Sequence, residues 1–177
     1  MNKTYLFTSN RLGFREWAVD DIDAMATINA DPAVMEFFPS VKTYQQTKEF
    51  IERMQEHMRL RGFCYFAVDT LDDNRLIGFI GMAEQTFESN FTPFIDIGWR
   101  LARETWGKGY ATEGANRCIE YAREIGIKKL NSTAPKINLR SEHVMQKIGM
   151  HKIGEFVHPA LIDDERLRDC ILYELEL

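Results

Sequence analysis

Residues 104 to 114 read ETWGKGYATEG and set Gly107 and Gly109 one residue apart, where a strand-like run gives way to a helix-like one. A helix start exposes unpaired N–H groups and the positive end of the helix dipole, and glycine lets an anion approach that backbone closely. Phosphate is the natural guest. A Walker loop would need glycine at position 102 and Ser or Thr after Lys108, but Ala102 and Gly109 stand there. A dinucleotide fingerprint would need a third glycine at 112, where Thr112 stands, and it would open the domain instead of following several strands. With both patterns excluded, the two glycines fit either a tight strand-to-helix turn or a phosphate cradle.

The elements that must position this loop follow from periodicity and punctuation. Arg11 to Trp17 (RLGFREW) reads as a first strand, and Asp20 or Asp21 can cap a short helix around Ile22, Met25 and Ile28 that Pro32 interrupts. Thr43 with Gln46 forms a capping-box pattern, Phe50, Ile51, Met54 and Met58 share one face, and Gly62 sits where a C-terminal cap belongs, so a helix spans about Tyr44 to Arg61. Phe63 to Thr70 and Arg75 to Ala83 flank the turn-like Asp72-Asp73-Asn74 as a hairpin, and Phe94 to Leu101 forms the next strand. Beyond the glycines, Ala111, Ala115, Cys118, Ile119 and Ala122 mark a helix stopped by Gly126. Lys128 to Ala134 is a strand, Asn138 to Ile148 a helix ended by Gly149, and Met150 to Val157 and Asp169 to Leu177 are two closing strands. The order predicts a mixed α/β (α+β) sheet covered by helices, in a single domain over residues 1–177.

Composition narrows the chemistry further. A formal charge of −5 with dispersed Lys and Arg argues against a nucleic-acid partner. The histidines His57, His143, His151 and His158 include no pair at metal-ligand spacing, so no metal is expected. Cys64, Cys118 and Cys170 are far apart and set in apolar or helical patterns, as reduced thiols of a cytoplasmic protein would be. The N-terminal run MNKTYLFTSNRLGF lacks a signal-like apolar stretch, and no later segment reaches transmembrane length.

The run IGWRLARETWGKGYATEG resembles motif A of the GNAT N-acetyltransferase superfamily, in the branch of the Rim ribosomal-protein N-terminal acetyltransferases. The opening Arg11-Leu12-x-Phe14-Arg15-x-Trp17, the helix start Asn138-Leu139-Arg140-Ser141, its end Lys147-Ile148-Gly149-Met150 and the closing Arg168 to Leu175 resemble the same branch. The resemblance implies a mostly antiparallel sheet of about seven strands flanked by about four helices and splayed in the middle. It also implies acetyl-CoA as acyl donor, a primary amine as acceptor (a protein N-terminus or a small molecule), and a possible homodimer. Two positions depart from the family pattern. Glu104 stands where Gln or Arg is usual, and Met145 stands where many members carry a Tyr that protonates the leaving thiolate.

On this resemblance the diphosphate meets backbone N–H groups of Gly107, Lys108, Gly109, Tyr110, Ala111 and Thr112. The pantetheine arm pairs with the strand Ile97, Gly98, Trp99, Arg100 and Leu101, where Gly98 is either a point of close approach or a packing glycine under an aromatic ring. An α-amine has a pKa of about 8 and a lysine about 10.4, so a base or a water relay must take a proton. Asp96 and Glu84 are the candidate carboxylates, both able to face one cleft. Asn138 and Ser141 share a helix face toward the thioester, with Ser141 as the thiolate's acid; alternatively Asn138 is the helix N-cap and Ser141 a first-turn polar residue. Phe37-Phe38-Pro39 is the candidate acceptor wall. The rival to a transferase acting by direct attack is an acyl-CoA-binding sensor with little turnover, which Glu104 and Met145 would suit.

Overall fold

The fold, taken from a computed structural model, is described over residues 4–177, so the first three residues of the N-terminal run lie outside the described residues. Local signals set several boundaries directly. Helix α2 (Tyr44–Arg61) starts where Thr43 Oγ1 accepts from the Gln46 amide at 3.1 Å and Gln46 Oε1 accepts from the Thr43 amide at 2.9 Å. It ends at Gly62, whose φ of 79° suits glycine and whose N–H closes on the Met58 carbonyl at 2.8 Å. Strands β3 (Tyr65–Thr70) and β4 (Leu76–Gln85) form the expected hairpin, and β5 (Phe94–Leu101) pairs antiparallel with β4.

The remaining elements are α1 (Ile22–Ala30), α3 (Tyr110–Glu124), β6 (Lys129–Pro135), α4 (Leu139–Lys147), β7 (His151–Val157) and β8 (Asp169–Glu176). The first strand is β2 (Leu12–Arg15), and a two-residue β1 (Phe7–Thr8) joins it as an eighth strand beyond the seven expected. Phe7 stacks on Phe14 at 4.7 Å and on Tyr121 at 4.4 Å, a tertiary reward that so short a segment does not announce.

The sheet order is β1-β2-β3-β4-β5-β6-β8-β7, and every pair is antiparallel except β5 with β6. A parallel pair needs a crossover, and α3 supplies it. That helix packs tightly on the face carrying Leu12, Phe14 and Ile80: a Cβ on Gly114 would lie 2.3 Å from Ile80 Cδ1. On the opposite face, Phe50 of α2 meets Phe79 with ring centroids 5.3 Å apart.

Asp21 occupies the N-cap position of α1 but makes no side-chain cap bond. Its carboxylate goes instead to buried Arg15, at 2.6 and 2.8 Å, and to the Ala18 amide at 2.8 Å. Arg15 also bonds Asp69 of β3 at 2.7 and 3.0 Å. All three side chains are buried, so one guanidinium neutralises two carboxylates that have left water. Arg15→Gln leaves those carboxylates facing each other and should lower unfolding free energy in urea by about 3–5 kcal/mol.

Candidate active site

Strands β5 and β6 share one register pair, Asp96 with Asn131, and a side-chain contact in which Ser132 Oγ donates to the Ile97 carbonyl at 2.9 Å. Past that contact the strands part, and a cleft of about 500 Å³ opens. Trp99, Arg100 and Leu101 of β5 line it, with Gly107, Gly109, Tyr110, Ala111 and Thr112 at the start of α3 and Asn138 and Ser141 at the start of α4. Of the residues expected to meet the donor, Ile97, Gly98 and Lys108 are not among the lining residues; Ile97 is fully buried and Lys108 is exposed.

The loop has the geometry of an anion cradle. Gly107 and Gly109 have φ of 73° and 80°, a region unfavourable to L-residues. A Cβ at Gly107 would meet nothing within 4 Å, and one at Gly109 only Arg11 Nη2 at 3.6 Å, so the backbone is open to a guest. The first helical bond closes from the Glu113 amide to the Gly109 carbonyl at 3.0 Å, which leaves the preceding N–H groups as unpaired helix-start donors. These residues fit a diphosphate. Glu113 ties the first turn to the segment before β2 through Ser9 Oγ at 2.7 Å and the Arg11 amide at 2.8 Å. Partial burial raises its pKa, but the Ser9 and Arg11 hydrogen bonds prevail and hold it below the ordinary value.

Glu104 does not line the cleft; its exposed carboxylate pairs with Arg75 at 3.2 Å. Basic side chains come from a row that sequence reasoning missed: Arg140, His143 and Lys147 of α4 all line the cleft, and Arg140 is also ion-paired with Glu36. Their i, i+3, i+7 spacing was the available signal. Arg140 lies 4.5 Å over the Trp106 ring, and Trp106 Nε1 donates to the Leu101 carbonyl at 2.9 Å, which fastens the loop to the end of β5. Met145 is buried in the core and points no group at the cleft. Asn138 is the N-cap of α4, accepting from the Ser141 amide at 3.2 Å, and both residues line the cleft, so the capping and groove-facing readings coincide. Phe37 and Phe38 form part of the wall with Ala33 and Val34.

The two carboxylates do not share a face. Ala83 stands opposite Asp96 and Glu84 opposite Ile95, so strand alternation sends Glu84 to the other side of the sheet. There it is held by Arg61 at 2.6 Å, as an ion-paired carboxylate outside the cleft lining. Asp96 is buried and, like Tyr65, is not among the residues that line the cleft. Tyr65, Gly81 and Gly98 lie in register across three strands, and Gly98 leaves room for the Tyr65 ring. Its hydroxyl donates to Asp96 Oδ2 at 2.5 Å and accepts from Gln85 Nε2 at 3.1 Å. A Cβ on Gly98 would fall 3.1 Å from Asp96 Oδ2 and 3.3 Å from Tyr65 Cε1, so Gly98 is the packing glycine under an aromatic ring. Burial pushes Asp96 up to about 7, against the Tyr65 hydrogen bond and the Thr133 amide, which both lower it.

Because the folded pKa lies above the ordinary 3.8, Asp96 favours folding most at low pH. That contribution falls as pH rises toward 7 and is constant above it. Asp96→Asn should therefore gain stability relative to the parent between pH 4 and 7, by about 4 kcal/mol at most, read as the pH dependence of the difference in urea unfolding free energy.

The sequence model of the acetyltransferase (GNAT) domain matches residues 11–151. The chain is 30% identical over 151 residues to the N-acetyltransferase YnaD of Bacillus subtilis (strain 168), covering 84% of each chain. The structure superposes on the acetyltransferase (GNAT family) from Bacillus anthracis with a TM-score of 0.79 and 26% identity, over 96% of both chains. It shares its fold with the ribosomal-protein-S5-alanine acetyltransferase from Vibrio fischeri, at a TM-score of 0.75 and 20% identity over 96% and 95% of the two chains. A sheet splayed beside a glycine-opened helix start, matched by this family over most of its length, makes the chain a member of the GNAT acetyltransferase family and an acetyl-CoA-dependent acyltransferase.

Proposed function

We propose that the protein is an N-acetyltransferase that moves the acetyl group of acetyl-CoA to a primary amine by direct attack in a ternary complex. The observation that carries this reading is the continuity of one cleft from the open helix start at Gly107–Thr112 to the unpaired edge of β5 at Trp99. Acetyl-CoA supplies the acyl group; the chain supplies donors, edges and proton carriers. The backbone N–H groups at the start of α3 take the diphosphate, and Arg140 and Lys147 of α4 add charge beside it. The Ile97 carbonyl is already bonded to Ser132, so the pantetheine amides pair with main chain beyond it, from Gly98 to Leu101.

As the C–N bond forms and the C–S bond breaks, the amine proton passes through the Tyr65 hydroxyl to Asp96, whose pKa of about 7 suits a base at neutral pH. Ser141, on the cleft wall, gives a proton to the thiolate while its hydroxyl takes one from solvent water. Asn138 holds the start of α4 beneath it. The motifs resemble those of the ribosomal-protein N-terminal branch, and the Vibrio fischeri enzyme shares the fold. Free, buried Cys64, Cys118 and Cys170 suit the cytoplasm, and no described helix is long and apolar enough to cross a membrane. The two residues that favoured a sensor without turnover, Glu104 and Met145, are engaged elsewhere and leave the cleft to the other groups.

Thiol release from acetyl-CoA over a panel of amines and peptides tests the reading; no release from any acceptor would sink it. Gly109→Val, which forces a side chain into the positive-φ loop, should raise KM for acetyl-CoA at least tenfold with a smaller effect on kcat. For the parent, kcat/KM should rise with pH to a plateau above about 7. Asp96→Asn should lose that limb and about 10²-fold in kcat/KM.

A further inference from the structure

Arg100 keeps a buried guanidinium nitrogen that no acid answers. Arg15, Arg61, Arg75 and Arg117 each end on a carboxylate, whereas no carboxylate lies within salt-bridge distance of Arg100 among the described residues. Its Nη1 donates to the neutral Asn29 Oδ1 at 2.8 Å, and its guanidinium lies 4.2 Å from the centroid of the Phe38 ring. Asn29 is itself locked by donating to Thr47 Oγ1 at 3.0 Å. The Arg100 Nε is buried and has no hydrogen-bond partner among the described residues. A buried unpaired donor on a cation is costly, and sites that keep one commonly meet a ligand's acceptor there. Burial draws the guanidinium down to about 10, as expected of a cation with no anion beside it.

The surroundings repeat the pattern. Arg100 lines both the main cleft and a neighbouring pocket of about 350 Å³, shared with Lys42 and Arg53. Neither of these has a carboxylate partner among the described residues. Glu49 is the one acid in the pocket lining, and it accepts from Gln45 Nε2 at 3.0 Å. Three cations to one acid is a local excess in a chain of net charge −5. Alternation along β5 puts Arg100 on the same face as Asp96 and Gly98. It lies two residues beyond Gly98, or about 7 Å along the strand.

We infer that the acceptor is a small amine carrying an oxyanion, a carboxylate or a phosphate a few bonds from its nitrogen, with the oxyanion seated on Arg100 and Lys42 and Arg53 around it. This rests on the transferase reading and names the substrate class of the same cleft. The oxyanion supplies the acceptor that Nε lacks and can bridge two guanidinium nitrogens. A polyamine would bring its second charge against three cations.

Matched probes test this. Thiol release is measured for free amino acids against their amides, for O-phosphoethanolamine against ethanolamine, and for spermidine. The two matched sets separate carboxylate from phosphate. The expected result is a kcat/KM at least tenfold higher for the oxyanion member of one set, with the ratio collapsing toward one in Arg100→Gln and partly retained in Arg100→Lys. Lys42→Gln/Arg53→Gln, on more open positions, should lower the same ratio severalfold through KM. A thermal shift by acetyl-CoA shows that each variant is folded. Equal or better turnover of amides, ethanolamine or spermidine overturns the inference.

If nothing turns over, thermal shifts with the same probes decide. Stabilisation by the oxyanion members alone, lost in Arg100→Gln, keeps the anion subsite and rejects the transferase reading; no such stabilisation rejects the subsite.

Discussion

The site depends on one failure of strand pairing. Strands β5 and β6 meet at Asp96 and Asn131 and are pinned by Ser132 on the Ile97 carbonyl, and beyond that point each must find other partners for its inner edge. An unpaired strand edge is a row of donors and acceptors that a ligand with its own amides can satisfy. The crossover helix α3 begins beside the opening, so its unpaired N–H groups and the open strand edge address one continuous cleft. If the two strands were zipped to the end of β5, neither feature would have a common guest.

The parting of the strands also joins the two faces of the sheet. Trp99 and Leu101 project toward the α3 face, while Asp96, Gly98 and Arg100 project toward α1 and α2. On that second face, Tyr65 reaches Asp96 past Gly98, which presents no side chain in its path. The carboxylate that results is buried, bonded to a phenol and raised toward neutrality, which is the state a proton acceptor for an amine requires.

Charge is distributed with the same economy. Arg15 sits in the interior with two carboxylates and is fully answered, so it joins β2, β3 and the turn before α1 as a structural clasp. Arg100 sits at the boundary of the cleft with an amide and two aromatic rings, and its charge is left over. Arg140 and Lys147 of α4 line the same cleft.

The sequence alone determined what depends on a few neighbouring residues. The capping box and Gly62 delimit α2, β5 runs from Phe94 to Leu101 as its alternation and the following loop require, and the spacing of Gly107 and Gly109 marks a helix start open to an anion. These features rest on φ preferences and hydrogen bonds within one turn, which short segments carry with them. Everything that depends on register or on a distant partner was decided by the tertiary structure. Asp21 abandons its cap for Arg15, Glu104 turns to Arg75, Glu84 lands on the wrong face for Asp96, Met145 enters the core, and β1 exists because Phe7 finds Phe14 and Tyr121. A single-residue change of register reverses a strand's faces, and a buried charge goes to whichever counter-charge the packing brings near, so neither outcome can be written in local sequence.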